Sequence, residues 1–182
     1  LENHEIPPGN ITLINALGTH RPQTPTEMAT LLGEEILKAY PCLQHDAFDG
    51  EMRALRHSRS GSLMEINRYV VDADLRILTG FIEPHFFAGF SGGPKAVLPG
   101  TASAGTVQRN HSYPMIAHAA ATFGSTWGNP LWEEMAEAVA CLGPSFLFNV
   151  SLNPNKEVTG LFTGEVVGAH QEGCQFVRDN AM

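Results

Sequence analysis

An apolar run of strand length that ends abruptly is the feature that most constrains the fold. Residues 75–82, LRILTGFI, are almost entirely apolar, and Pro84 follows them closely. Such a run predicts a β-strand, and the proline marks where the chain leaves the sheet. Residues 11–17, ITLINAL, repeat the pattern and are followed by Gly18. His85 and His20 therefore lie just beyond the carboxyl ends of two predicted strands, the edge where open α/β sheets bind ligands.

Helix signals alternate with these strands. The sequence Thr-Pro-Thr-Glu at 24–27 is a capping box with proline at the first helical position, and it predicts a helix over residues 25–40. Asn-Pro-Leu-Trp-Glu at 129–133 repeats the pattern and predicts a helix that runs to residue 142. Two further helices are predicted, over residues 67–71 and 164–180.

The remaining apolar runs predict strands. Residues 146–152 and 157–162 flank Asn-Pro-Asn-Lys, whose proline and asparagines are typical of a turn, so this stretch predicts a hairpin. Shorter strands are predicted at residues 42–48, 52–58 and 63–66. The alternation of strands and helices predicts one layered α/β domain over residues 1–182, with a mostly parallel or mixed central sheet flanked by helices.

Composition excludes several classes of protein. The chain has 182 residues, of which 43% are hydrophobic and 16% charged, as expected for a soluble globular domain. Its net charge of −8 argues against a nucleic-acid partner or an anionic membrane surface. The three cysteines lack CxxC spacing and favour a reducing, cytoplasmic location. No apolar run reaches the ~18 residues of a membrane span, and no signal peptide is visible.

The segment EPHFFAGFSGGPK, residues 83–95, predicts a binding site. Two adjacent glycines, a histidine beside a proline and a lone lysine contribute little to a core. Gly92 and Gly93 permit positive φ, and successive N–H groups in such a turn can bind an anion. Alone, His20 or His85 is more typical of a hydrogen-bonded loop residue. Together with the glycine-rich loop and Lys95, the two histidines favour a functional cleft that they share.

Several motifs, taken as a set, resemble the lactate racemase family, whose enzymes use a nickel-pincer nucleotide. The resemblance extends over nearly the whole chain and also includes INRYVVDADLRI, GNPLWEEM and FNVSLNPNKEVTG. It implies a racemase or epimerase that acts on a small, lactate-like 2-hydroxy acid. The motifs are His20-Arg21-Pro22, Glu83-Pro84-His85, Ser91-Gly92-Gly93-Pro94-Lys95 and Asn110-His111.

The resemblance also implies roles for individual residues. Lys95 matches the lysine to which the cofactor, nickel pyridinium-3,5-bisthiocarboxylic acid mononucleotide, is covalently attached. His111 matches the histidine that ligates nickel. His20 and His85 match the general acid/base pair, one on each side of the substrate. Proton transfer by this pair accompanies hydride transfer from C2 of the hydroxy acid to the cofactor's pyridinium carbon and back.

The residues around these positions have less specific roles. The N–H groups of Ser91, Gly92 and Gly93 are candidates to bind the cofactor phosphate, although the loop lacks the P-loop pattern. Arg21 is equally consistent with an anion contact and with an ordinary surface arginine. Asn110 is expected to support the local turn. Glu133 and Glu134 are expected to have a capping role rather than to form a catalytic carboxylate pair.

Departures from the family pattern concern Pro94 and the ends of the chain. Many members carry arginine in place of Pro94, and further cofactor and substrate ligands of the family fall beyond both ends. The chain begins Leu-Glu-Asn without methionine, so we expect an excised part of the N-terminal catalytic domain of a longer two-domain enzyme, inactive alone. The alternatives are a non-enzymatic nickel or zinc module that uses His20, His85 and His111, and an inactive homologue.

Overall fold

The computed structural model describes residues 6–58, 61 and 63–181. The N-terminal half begins with a 3-10 turn at Pro8–Asn10 and continues with short elements. In chain order these are β1 (Leu13–Asn15), α1 (Pro25–Leu32), α2 (Glu34–Ala39), β2 (Cys42–Gln44), β3 (Met52–His57), β4 (Leu63–Asn67) and α3 (Arg68–Val71). Strands β1 and β2 pair in parallel, whereas β3 and β4 form an antiparallel pair.

The C-terminal half contains the largest sheet. Its elements are β5 (Arg76–Phe81), β6 (Pro84–His85), β7 (Gly89–Phe90), a 3-10 helix at Gly93–Ala96, α4 (Ala104–Asn110), α5 (Tyr113–Ile116), α6 (Pro130–Ala140), β8 (Ser145–Leu152), β9 (Val158–Gly164) and α7 (Val166–Ala181). Strand β8 is central and pairs in parallel with β5 and antiparallel with β9. The predicted α/β class with a mixed sheet is thereby confirmed, as is the predicted hairpin.

The capping box forms as predicted, but the helix that it starts is shorter. The Thr24 hydroxyl accepts a hydrogen bond from the Glu27 N–H at 3.2 Å, and the Glu27 carboxylate accepts one from the Thr24 N–H at 2.7 Å. Gly33, with φ +82°, then separates α1 from α2. The prediction of one continuous helix over residues 25–40 was therefore wrong. A glycine inside a helical pattern marks the break because it adopts positive φ without a Cβ clash.

The strand predicted over residues 42–48 is also shorter than expected, because a turn follows it. The Asp46 carboxylate accepts hydrogen bonds from the N–H groups of Phe48, at 2.9 Å, and Asp49, at 3.2 Å. An aspartate that bonds to the backbone two residues on stabilises a turn at the expense of an extended strand. The chain therefore leaves β2 at Gln44.

The two faces of the β5–β8–β9 sheet have different environments. The inner face contributes Leu78 and Leu147 to the main core, where they join Leu131 and Met135 of α6. On the outer face, paired residues such as Ile77 and Phe146 are 41% and 42% exposed. Helices therefore flank the inner face, whereas apolar side chains are exposed on the outer face among the described residues.

The glycine-rich segment lies against the inner side of this sheet. The 3-10 helix Gly93–Ala96 contacts β5, α6 and α7. A small second core of Ile82, Phe90, Cys174 and Val177 lies nearby. Strands β6 and β7 form a short antiparallel pair between β5 and this helix. Within the described part of the chain, no helix is both long and apolar enough to cross a membrane.

Candidate active site

Lys95 lies in the 3-10 helix and is partly buried. Its N–H donates a hydrogen bond to the Gly92 carbonyl at 3.2 Å, which closes the turn that carries it. Burial lowers the pKa of the Lys95 ammonium to about 8, and the nearby Glu83 carboxylate opposes the shift. An amine with this pKa is partly neutral near physiological pH, and a neutral amine is a nucleophile.

His85 lies in β6, with its ring packed among aromatic side chains. The ring stacks on Phe86 with centroids 4.7 Å apart and meets the Phe87 ring edge-on at 4.6 Å. Its Nδ1 accepts a hydrogen bond from the Ala88 N–H at 3.2 Å, so the neutral ring carries its proton on Nε2. Burial, with smaller contributions from Lys95 and His111, lowers the pKa of His85 to about 4. The imidazole is therefore neutral near pH 7.

His111 caps the C-terminus of α4, and its ring also contacts Phe87. Its N–H donates to the Val107 carbonyl at 2.8 Å, and its ring meets the Phe87 ring at a centroid distance of 5.1 Å. Its Nδ1 is buried and has no hydrogen-bond partner among the described residues. Burial, and to a lesser degree Lys95, lowers the pKa of His111. A buried imidazole nitrogen without a partner is unusual and suits a ligand.

Lys95, His85 and His111 therefore form one cluster. The Lys95 cation contributes to the lowered pKa of both histidines, and His111 contributes to that of His85, as expected for groups in one neighbourhood. Phe87 contacts both imidazole rings and links them sterically. The structure brings together three of the four residues predicted for catalysis, attachment and metal binding.

His20 has a different environment. It is exposed on the loop after β1. That loop is attached to the Lys95 segment, because the Gly18 N–H donates to the Gly100 carbonyl at 2.9 Å and the Gly100 N–H donates to the Lys95 carbonyl at 3.0 Å. Within the described residues, no hydrogen bond, ion pair or ring contact joins the His20 side chain to the cluster. The prediction that His20 and His85 share a cleft stays a prediction.

Three donors of the glycine-rich loop are already used in hydrogen bonds within the protein. The Ser91 N–H donates to the Glu83 carbonyl at 2.8 Å, and the Gly93 N–H donates to the Asn149 side-chain oxygen at 2.7 Å. The Ser91 hydroxyl donates to the Phe81 carbonyl at 2.9 Å. Phosphate binding by Ser91, Gly92 and Gly93 therefore stays a prediction, and these contacts favour a role for the loop in shaping the backbone.

The sequence neighbours of His20 and His111, which are Arg21 and Asn110, have defined hydrogen-bond partners. Arg21 forms two hydrogen bonds with the Glu27 carboxylate, at 2.9 and 2.8 Å, and so braces the start of α1. Asn110 is fully buried beside His111, and its amide donates to Glu134 at 2.9 Å. The expectation of a capping role for Glu134 was wrong, because its buried carboxylate instead links α6 to α4.

Sequence analysis missed two residues that contact the loop, Asn149 and His170. Both are almost completely buried, and they come from β8 and α7. One signal was available for Asn149, which alternates with Leu147 and Ser151 on the inner face of a mostly apolar strand. An inward polar residue in such a strand needs a hydrogen-bond partner. Nothing local distinguishes His170 from an ordinary helical histidine.

The comparison with protein families agrees with the motifs. The family model for the lactate racemase N-terminal domain matches residues 1–124. The chain belongs to the lactate racemase family. The matched range contains His20, His85, Lys95 and His111, and it ends before Asn149 and His170.

Lactate racemases are similar to nearly all of the chain. The protein from Lactiplantibacillus plantarum is 38% identical over 174 residues, which are 95% of this chain and 41% of that protein. The protein from Thermoanaerobacterium thermosaccharolyticum is 37% identical over 173 residues, which are 94% of this chain and 41% of that protein. The chain thus spans 41% of the length of these lactate racemases.

Solved structures share the fold. The lactate racemase apoprotein from Thermoanaerobacterium thermosaccharolyticum matches with a TM-score of 0.90 and 37% identity, over 92% of this chain and 40% of that chain. A crystal structure of a Thermotoga maritima protein matches with a TM-score of 0.79 and 24% identity, over 92% of this chain and 46% of that chain. The second match supports the fold alone.

Proposed function

We propose that the chain is part of the N-terminal catalytic domain of a racemase or epimerase that acts on a lactate-like 2-hydroxy acid. The observation that carries the proposal is the cluster of Lys95, His85 and His111, in a chain of the lactate racemase family. Such an enzyme needs a cofactor attachment point, a metal ligand and a proton-transfer group, and these three residue types supply them.

The residues of the cluster fit the nickel-pincer nucleotide. Among the described residues, no group of three or more His, Cys, Asp or Glu side chains is arranged to hold a metal ion. A metal at His111 therefore needs other donors, and this cofactor brings sulfur and carbon donors of its own. The unpartnered Nδ1 of His111 and the partly neutral Lys95 amine suit ligation and covalent attachment. When bound, the cofactor supplies a hydride acceptor and donor.

The lack of three or more metal-binding side chains in one place, among the described residues, also counts against the alternative of a non-enzymatic metal module. Structural metal sites use about four protein ligands at bonding distance. Among the residues that the structure describes, no hydrogen bond or ring contact joins the His20 side chain to His85 or His111. A site with one protein ligand and a nucleophilic lysine beside it instead favours a metal held mainly by an attached cofactor.

His85 is proposed to transfer the proton of the substrate hydroxyl. Its neutral ring carries a proton on Nε2 because Nδ1 accepts from Ala88, so the free site offers a hydrogen-bond donor to a substrate oxygen. To accept a proton at Nε2, the neutral ring must first carry its own proton on Nδ1 instead, and this tautomer lacks the acceptor for the Ala88 N–H, whose bond is long at 3.2 Å. His20 is proposed to act from the opposite side of the substrate, on the loop attached to Gly100.

The test uses the longer protein loaded with cofactor and measures three quantities in each variant. These are the adduct mass on the peptide that contains residue 95, the bound nickel, and the interconversion of lactate enantiomers by chiral chromatography. Lys95→Ala should lose adduct and racemisation, whereas His111→Ala should lose nickel and keep the adduct. The control is Lys38→Ala, since Lys38 is exposed and paired with Glu34 at 3.0 Å.

Two outcomes would overturn the proposal. One is racemisation by Lys95→Ala at the rate of the Lys38→Ala control. The other is stoichiometric metal on the wild-type protein without any adduct, which would support the metal module. The 182-residue chain alone should not racemise lactate, because it spans only 41% of its relatives, and turnover by it would contradict the proposed division of the site.

A further inference from the structure

Asn149 reaches the glycine-rich loop from the central strand β8. Its side chain is 1% exposed, and its oxygen accepts a hydrogen bond from the Gly93 N–H at 2.7 Å. Its amide nitrogen donates to the carbonyls of Phe148, at 3.0 Å, and Leu78, at 3.4 Å. The two carbonyls fix which end of the amide faces them, so the oxygen must face Gly93.

His170 reaches the same loop from α7 and is fully buried. Its Nε2 donates to the Ser91 carbonyl at 2.9 Å, and its Nδ1 accepts from the Trp132 indole N–H at 3.4 Å. The ring also stacks on Trp132, with an interplanar angle of 13°. Both ring nitrogens are therefore used by the neutral imidazole, which leaves His170 no free position for a ligand or proton.

The glycines of the loop fit against these two side chains. Gly92 and Gly93 have φ of +71° and +54°. A Cβ added at Gly93 would overlap the His170 ring, and one added at Gly92 would overlap the Asn149 side-chain oxygen. The double glycine is therefore required for the backbone to approach Asn149 and His170.

We propose that Asn149 and His170 are positioning residues that hold Ser91–Gly93 and thereby keep the Lys95 amine in its partly buried place beside His85 and His111. The link is direct, because the Lys95 N–H bonds to the Gly92 carbonyl at 3.2 Å. The inference rests on the proposed function, in which Lys95 is the attachment residue. It adds two residues outside the matched range 1–124. A lysine on a released loop extends its ammonium into water, where the charged form is favoured.

The experiment measures the reactivity of Lys95 in the 182-residue chain without cofactor. Trace acetylation with acetic anhydride at about pH 7.5, read by peptide mass spectrometry, compares Lys95 with the exposed Lys38 and Lys156. The wild-type chain should label Lys95 at least about tenfold faster than either, since each pKa unit changes the neutral fraction tenfold. Asn149→Leu and His170→Phe, which keep a similar side-chain shape and lose the bond to the loop, should reduce that ratio about tenfold.

Two further variants separate positioning from general stability. Ser151→Ala removes a buried hydroxyl on the same face of β8, bonded to Thr159 at 2.8 Å, and should leave the ratio unchanged. His170→Gln keeps an N–H donor toward Ser91 and should recover part of the Lys95 reactivity lost in His170→Phe. If His170→Phe fails to fold, Asn149→Leu and His170→Gln still provide the comparison.

The outcomes distinguish this inference from the proposed function. A wild-type chain that labels Lys95 no faster than Lys38 would count against Lys95 as the nucleophile and hence against the proposed function. Fast labelling in the wild type that persists in folded Asn149→Leu and His170→Phe would overturn the positioning role alone. Equal loss in Ser151→Ala would also overturn it, because reactivity would then follow stability.

Discussion

His85 and His20 each follow a strand, but the regions around them differ in how tightly other side chains surround the histidine. His85 follows β5, the edge strand of the largest sheet, and is surrounded by Phe86, Phe87 and Ala88. His20 follows β1, which pairs only with β2 among the described strands, and it is exposed. The end of a strand thus determines where the next residue lies. The burial of that residue depends on which side chains from elsewhere in the chain pack around it.

This difference affects the chemistry available to each histidine. The pKa of His85 is lowered by burial and by two neighbouring groups, and its tautomer is set by a backbone N–H. The His20 side chain is exposed and has no hydrogen-bond or ring partner among the described residues. The two proposed acid/base groups therefore differ in how far this chain alone prepares them. His85 is positioned by contacts within this chain, whereas no hydrogen bond or ring contact among the described residues positions the His20 side chain.

The strongest test of the comparison is to remove each histidine in the cofactor-loaded longer protein. His85→Ala and His20→Ala should each lower racemisation by ~10²–10⁴-fold, the usual contribution of a general acid/base group. Nickel content and the Lys95 adduct should be unchanged, since neither side chain is assigned to bind cofactor. Chiral chromatography measures the rate, and metal analysis and mass spectrometry provide the controls. If either variant kept near-normal turnover, the two-base assignment would have to be withdrawn.

A second test compares glycines of positive φ in the two regions. Gly33 lies between α1 and α2 with φ +82° and nothing within 4 Å of an added Cβ, so Gly33→Ala should cost only backbone strain, about 1–2 kcal/mol. At Gly93 an added Cβ also overlaps the His170 ring, so Gly93→Ala should cost about 3–5 kcal/mol. Urea unfolding of both variants measures the difference. Equal costs would mean that His170 moves freely and does not hold the loop.

Local signals in the sequence predict much of the fold. The capping box at Thr24 and the turn sequence at 153–156 each involve residues close in sequence, and both form as predicted. The strand over 75–82 and its exit at Pro84 follow from one apolar run and one proline. The break at Gly33 is the exception among local features, because an isolated glycine is compatible with both a continuous and an interrupted helix.

The supports of the candidate site could not be predicted in the same way. Gly93 is joined to Asn149, Ser91 to His170 and Asn110 to Glu134 by hydrogen bonds between residues far apart in sequence. Each pair depends on how α6, α7 and β8 pack, which no local pattern specifies. The residues proposed for the site were recognisable by type and motif, whereas their positioning depends on tertiary packing.

The last test concerns stability at low pH. The region around buried His170 should lose folding stability as the pH falls, whereas the exposed loop of His20 should contribute little to this loss. The pKa of His170 is lowered to about 4, mainly by burial and to a lesser degree by the Lys95 cation, while the Ser91 carbonyl opposes the shift. The unfolded state, with an ordinary histidine pKa of about 6.5, binds the proton first as pH falls. This contribution to stability is therefore complete above about pH 6.5 and is lost as pH falls toward 4, by about 2 kcal/mol between pH 6.5 and 5.

Urea unfolding at several pH values measures this loss, and His170→Gln isolates it. The variant lacks the titrating group, so its free energy of unfolding should decline less between pH 6.5 and 5, by about 2 kcal/mol. Comparison with wild type is necessary because burial also lowers the pKa of His45, His85 and His111, and these three groups contribute to the acid sensitivity of both proteins. Parallel pH profiles for the two proteins would mean that native His170 becomes protonated over the same pH range as in the unfolded chain. In that case its ring could not hold the Ser91 carbonyl and accept from Trp132 at the same time, because the protonated ring has no acceptor.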